Sequence, residues 1–213
     1  MLSQALSYSP VVGILVLANG KSQRDIAADF IVGFFIARIP ILLFQAVQAA
    51  LLPRLAALAG SNRIADFRAG LNKLVVIVVS IGLLGVAGGG ILGSTAGKIL
   101  FGNKFKLHNG DLALLAAGCG LFVLALTLAQ ALIALLGHSR ATYAWIVGNV
   151  VFVAVTAVAS HDLFLRVELG FLAGAAASAL VMGWLLKARM TAGIRADSLA
   201  HLVEQIEHEP LEI

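Results

Sequence analysis

Charge is what this chain has least of. Asp, Glu, Lys and Arg supply only 12% of its 213 residues, about half the roughly 25% of an average soluble domain. That is too little polar surface to cover a core in water. It also excludes a disordered chain, which combines low hydrophobicity with high charge. Cysteine occurs once, as Cys119 inside an apolar run. This excludes an intrachain disulfide and a paired-cysteine metal site. The first ten residues, MLSQALSYSP, contain no Lys or Arg, so no cleavable signal peptide is expected. No glycine-rich loop ends in Lys-Ser or Lys-Thr, no HExxH occurs, and the five histidines lack ligand spacing. Acidic pairs are missing from the apolar runs, where a membrane-embedded hydrolase or transferase usually needs them. The expectation is a mover or a binder without cofactor or metal, not an enzyme.

What is present is hydrophobicity in long stretches. Sixty per cent of residues are apolar, and the mean hydropathy is +0.98. The apolar runs are continuous over about 20 residues, not alternating as in a membrane barrel. The expected fold class is all-α, a polytopic bundle of six transmembrane helices. The spans are 2–18, 31–52, 74–100, 112–136, 141–159 and 170–186. Polar punctuation separates them: Lys21–Asp25, then Pro53 with a basic connection from Arg54 to Lys73. Next come Gly102–Lys104 and Asn109–Asp111, where Asp111 can cap the fourth helix, then Gly137–Arg140, then His161–Glu168.

The net charge of +4 comes from basic residues between the spans, which reads as membrane topology and not as a nucleic-acid surface. Six spans put both termini on one side. Loops there carry Arg54, Arg63, Arg68, Lys73, Arg140, Lys187, Arg189 and Arg195, against Lys21, Arg24, Lys98, Lys104, Lys106 and Arg166 opposite. The bias favours cytoplasmic termini. Tyr143, Trp145 and Trp184 fall near the same end, where an aromatic belt belongs. Residues 1–190 form the membrane lobe and residues 191–213 an acidic tail. In the tail Ser198 can cap a short helix with Leu199, Leu202, Val203 and Ile206 on one face, stopped by Pro210. It is either a solubilising tail or a surface for docking.

Arg38 is the only charge well inside a span. An arginine there costs about 2.5–3.5 kcal/mol on insertion scales and usually faces a bundle interior or a wet cavity. Gln45 lies about 20° from it around the helix and Gln48 within about a further 60°, making one polar stripe. Pro40 has no N–H, so the carbonyl of Ile36 loses its helical donor and the helix can kink there. A guanidinium suits phosphate, and amides suit sugar hydroxyls. The alternative is that Arg38 snorkels to headgroups while the glutamines join helices. Asn149, Gln130, Thr127, Ser80, Ser94 and Thr95 read as helix-packing contacts. Gly85-Gly89-Gly93 and Gly170-Gly174-Ser178 read as small-residue seams.

The stretches ARIPILLFQAVQAALLPRLAAL (Ala37–Leu58), ILFGNKF (Ile99–Phe105) and LALTLAQALIALLGHSRA (Leu124–Ala141) resemble a known family. It is the polysaccharide and O-antigen flippase branch of the multidrug/oligosaccharidyl-lipid/polysaccharide exporter superfamily. The resemblance runs from about Ser7 to Leu186. It implies twelve helices in two six-helix lobes that rock around a central cavity. This chain looks like the second lobe. The implied partner is then a first lobe or a second six-helix chain, and the implied cargo a lipid-linked anionic glycan crossing the cytoplasmic membrane. The residues carried over are Arg38, Pro40, Gln45, Gln48, Pro53 and Arg54. Arg38 would neutralise phosphate, Gln45 and Gln48 would bind sugar, and Pro40 would let the helix bend. A cation-coupled drug exporter lobe and a non-transporting scaffold for glycan-assembly enzymes are the alternatives.

Overall fold

A computed structural model of the protein describes residues 2–18, 21–39, 41, 53, 57, 58, 61, 63–102, 107–135 and 137–208, with side chains as far as Thr191 except at 21, 22, 25, 26, 100 and 101. The described residues form α1 (Leu2–Leu17), α2 (Lys21–Ala37), α3 (Ile64–Phe101), α4 (Asn109–Ala134), α5 (His138–Val158) and α6 (Leu163–His208). Among them there is no strand. Among the described residues, four helices are long and apolar enough to cross a membrane, over Ile64–Ile99, Asn109–Ala134, His138–Val158 and Leu163–Thr191. The chain is a multi-pass membrane protein by this measure. α1 has 16 residues, about 24 Å of helix, short of the roughly 30 Å hydrocarbon thickness.

α6 lies at the centre, packed on α4 along one side and α5 along the other. α3 packs on α4, α1 leans on α5 and α6, and α2 bridges α1 and α4. Small residues draw these helices together. A side chain at Gly89 would come within 2.9 Å of the Leu112 carbonyl, and one at Gly93 within 2.7 Å of the Leu112 side chain. On the other seam, Gly170 faces Thr156 and Phe152 of α5, and Gly174 lies against the Gly148 carbonyl. Both small-residue stripes therefore act as close-approach surfaces, the arrangement that dispersion-driven association in lipid requires.

Several helices outrun the apolar segments from which they were expected. Lys21–Asp25 is the first turn of α2 and not a loop: Lys, Gln and Arg are good helix formers. The connection from Arg54 to Lys73 ends at Arg63, because α3 begins at Ile64. Phe67, Leu71, Leu74 and Val78 are all buried, an i, i+4, i+7, i+11 stripe that continues the helix beneath exposed Arg68 and Lys73. Asp111 is not the cap of α4. His108 holds that position, and Asp111, three residues on, accepts the His108 N–H at 2.8 Å, closing a capping box. The tail is not a separate helix either: α6 runs unbroken to His208, and Ser198 lies inside it. Nothing at residues 187–197 breaks a helix except one glycine, and a lone glycine costs only about 1 kcal/mol. The break after α3 is encoded more sharply. Gly102 has φ +84°, the left-handed conformation open to glycine, and its N–H closes on the Lys98 carbonyl at 2.8 Å.

The aromatic belt is partly a misreading. Tyr143 and Trp184 are exposed, as an interfacial ring should be, but Trp145 is buried and lies 5.6 Å from the Phe122 ring. It faces the core because Phe122 offers it an aromatic partner within the bundle.

Candidate functional site

The site is built around a defect in α1. Pro10 sits inside that helix and cannot donate to the Leu6 carbonyl. The Ser9 hydroxyl replaces the missing donor, bonding Leu6 O at 2.8 Å. One residue along, Ser7 turns both its polar groups toward α2. Arg38 Nη1 donates to the Ser7 carbonyl at 3.2 Å, and Nη2 donates to Ser7 Oγ at 2.7 Å. The guanidinium also lies over two rings, 4.7 Å from the centre of Tyr8 and 5.3 Å from that of Phe34. Each cation–π contact is worth about 0.5–2 kcal/mol, more where water is excluded. The chain turns at Arg38 itself: its N–H bonds Phe34 O at 3.1 Å, and its carbonyl accepts the N–H of Ile41 at 2.9 Å.

Arg38 is half-buried. It is thus a link between α1 and α2, where sequence reasoning foresaw a lone charge. The link joins residues 31 apart, and no local spacing announces it. Ser7→Ala removes the charge-assisted hydrogen bond at 2.7 Å. The expected cost is about 1.5–3 kcal/mol, read as an earlier thermal unfolding midpoint of the purified protein in detergent. Pro40, Gln45, Gln48 and Arg54 lie outside the described residues, and Pro53 is helical and exposed.

Of the polar residues assigned to packing, Asn149 bonds between helices, Thr127 bonds within its own helix, and Ser80 and Thr95 are exposed. Asn149 donates to the carbonyls of Leu2, at 3.2 Å, and Trp145, at 2.8 Å. Thr127 bonds back to Val123 O at 2.9 Å, and the Ser94 N–H donates to the Asn109 side chain at 2.7 Å, tying α3 to the start of α4.

A group that sequence reasoning missed is Glu168. The expected connection before the last span, His161–Glu168, ends on it. In fact α6 has already begun at Leu163, and Glu168 is 1% exposed. Among the described residues, neither of its carboxylate oxygens has a hydrogen-bond partner. The signal was present in the spacing. Phe164, Glu168, Phe171 and Ala175 fall at i, i+4, i+7 and i+11, one face of a helix. Arg166, the nearest cation along α6, points elsewhere: its Nε donates to Thr156 O at 2.8 Å and Nη2 to Ala157 O at 3.0 Å, closing the end of α5.

Two shallow grooves flank the crossing of α3 and α4 at Gly82 and Gly120. The first is lined by Ala37, Ile41, Val78, Cys119 and Val123 among others, the second by Val79, Leu83, Val86, Leu121 and Leu124. Both are apolar. Among the described residues no group of three or more His, Cys, Asp and Glu side chains could hold a metal ion. No family model, curated protein or solved structure matches the chain.

Proposed function

We propose that this multi-pass chain is one six-helix lobe of a transporter that flips a lipid-linked, negatively charged glycan precursor across the cytoplasmic membrane by alternating access. Both termini then face the cytoplasm, and a second lobe or a second copy completes the cavity. The observation that carries the reading is Arg38. It is a guanidinium within the apolar part of the chain, held at the turn that ends α2 and bonded to Ser7 of α1. A guanidinium has five N–H donors, and two hydrogen bonds to Ser7 are its side-chain bonds among the described residues. The remaining donors can take a phosphate in the bidentate geometry that arginine favours. The resemblance of Ala37–Leu58 to the flippase branch supports the same reading, with Gln45 and Gln48 as the groups for sugar hydroxyls.

The ring contacts and the two bonds to Ser7 also favour a second reading, in which Arg38 only clamps two helices of a non-transporting scaffold. Complementation separates the two. A strain lacking the chain is supplied with wild type, Arg38→Ala or Arg38→Lys, and lipid-linked intermediates and protein level are quantified. The transport reading expects Arg38→Ala to lower glycan export about tenfold or more at unchanged protein level, the loss of one charge-assisted contact. Arg38→Lys should recover part of it. Unchanged export in Arg38→Ala overturns the transport role of Arg38 and favours the scaffold.

A further inference from the structure

Glu168 occupies an unusual position. It lies on α6 between two aromatic contacts to α2. One turn before it, Phe164 stacks on Phe30 with ring centres 5.4 Å apart. One turn after it, Phe171 meets Phe34 edge-on at 5.8 Å. Phe30, Phe34 and Phe171 are fully buried. The carboxyl group is buried on the helix face between these two ring contacts, and among the described residues neither oxygen has a hydrogen-bond partner.

Among the described residues no cation is paired with it. The Arg–carboxylate pair among the described residues is Arg63 with Asp66, and His108 Nδ1 lies 3.8 Å from Asp111 Oδ2. Among the described residues, the charged groups that act on Glu168 are Asp111, on the first turn of α4, and Asp162, just before α6. Both are acidic. On α2, Asp29 is a further half-buried acid and Arg24 is exposed; His108 and His161 are exposed as well. Arg166 is bonded to the end of α5. A buried carboxylate with no hydrogen bond and no counter-ion among the described residues is costly, and such a group neutralises instead.

We propose that Glu168 is a proton-binding site, occupied while α2 packs over α6 and emptied when α2 lifts away. In the packed state the carboxyl is neutral and needs no counter-ion. When Phe30 and Phe34 separate from Phe164 and Phe171, water enters. The carboxyl O–H bond then breaks, its electron pair stays on oxygen, and the proton passes to water. The carboxylate so formed is hydrated and cannot be reburied until a proton returns. Closure of α2 and protonation of Glu168 thus become one linked event. This coupling does not depend on the identity of the cargo.

The test is infrared spectroscopy of the purified full chain in lipid nanodiscs, following the C=O stretch of protonated carboxyl groups against pH. Wild type should show such a band at neutral pH, and the isosteric Glu168→Gln should lack it. Phe30→Ala, which admits water, should move the titration to lower pH by about one unit or more. Identical spectra for wild type and Glu168→Gln at neutral pH overturn the proposal. So does an unmoved titration in Phe30→Ala. Proton release on addition of sodium chloride at fixed pH, absent in Glu168→Gln, would assign the site to a metal cation and equally overturn it.

Discussion

Gly148→Leu is expected to separate α5 from α6 and to abolish the native bundle. A Cβ built on Gly148 overlaps Ser178 Oγ and stands 2.7 Å from the carbonyl oxygen of Gly174. The serine hydroxyl can rotate away, but the carbonyl belongs to the backbone of α6 and moves only with the helix. Alanine alone must push the helices apart, and leucine adds three more carbons in the same place. Overpacking of this kind costs about 3 kcal/mol or more when the obstacle is rigid. In lipid no water-driven collapse restores the contact, since close packing is itself the attraction. The chain supplies its own probe. Cys119 is the single cysteine and is 2% exposed on α4. Maleimide labelling in mild detergent should be slow in wild type, faster in Gly148→Ala and fast in Gly148→Leu. Removing the hydroxyl as well, in Gly148→Ala with Ser178→Ala, should rescue only in part, because the Gly174 carbonyl remains. Full rescue would show that the hydroxyl was the obstacle and the backbone was not.

The second large effect is expected at Phe171. Its ring is 1% exposed and joins three helices: it lies 5.8 Å from Phe34 of α2 and 6.3 Å from Phe122 of α4. Its edge also fills the space above Gly118, where a Cβ would stand 2.5 Å from the ring. Phe→Ala in a soluble core costs about 3–5 kcal/mol, from lost transfer energy and from the cavity left behind. Within a membrane the transfer part shrinks, because lipid solvates an exposed ring as well as protein does. The cavity and the lost ring contacts remain, so Phe171→Ala should sit near the low end, about 3 kcal/mol. A size swap tests the geometry. Gly118→Ala should destabilise wild type, yet cost little in the Phe171→Ala background, where the space is empty. The coupling between the two sites should reach about 1 kcal/mol or more in a double-mutant cycle of thermal unfolding. Simple additivity would mean that the ring and the glycine do not compete for that space.

The long helices were plain in the sequence because lipid imposes a length and a composition that few other structures share. Leu112–Leu136 and Ala141–Ala159 match α4 and α5 to within a few residues for that reason. Boundaries failed where a helix continued past the apolar run. Phe67 and Leu71 extend α3 by an amphipathic stripe, and a reading tuned to unbroken hydrophobicity passes over it. The same bias hid Glu168: an acid near Asp162 and Arg166 looks solvated until the Phe164–Phe171–Ala175 spacing is placed on a helix. Arg38 was found by its rarity alone, but its partner was not. Ser7 owes its prominence to Pro10 and Ser9, and the contact depends on how α1 and α2 meet in space. Trp145 shows the same limit from the other side, since only the placement of Phe122 tells a core tryptophan from an interfacial one.

The unbroken course of α6 has a mechanical consequence. Its 46 residues make a rod about 69 Å long. The Phe164 end carries the contact with α2, and the His208 end lies well beyond the apolar stretch. A tilt of about 5° pivoting at one end would carry the other through about 6 Å, about one helical turn. Small rearrangements around Phe164 would thus arrive at the far end as displacements large enough for a neighbouring molecule to sense.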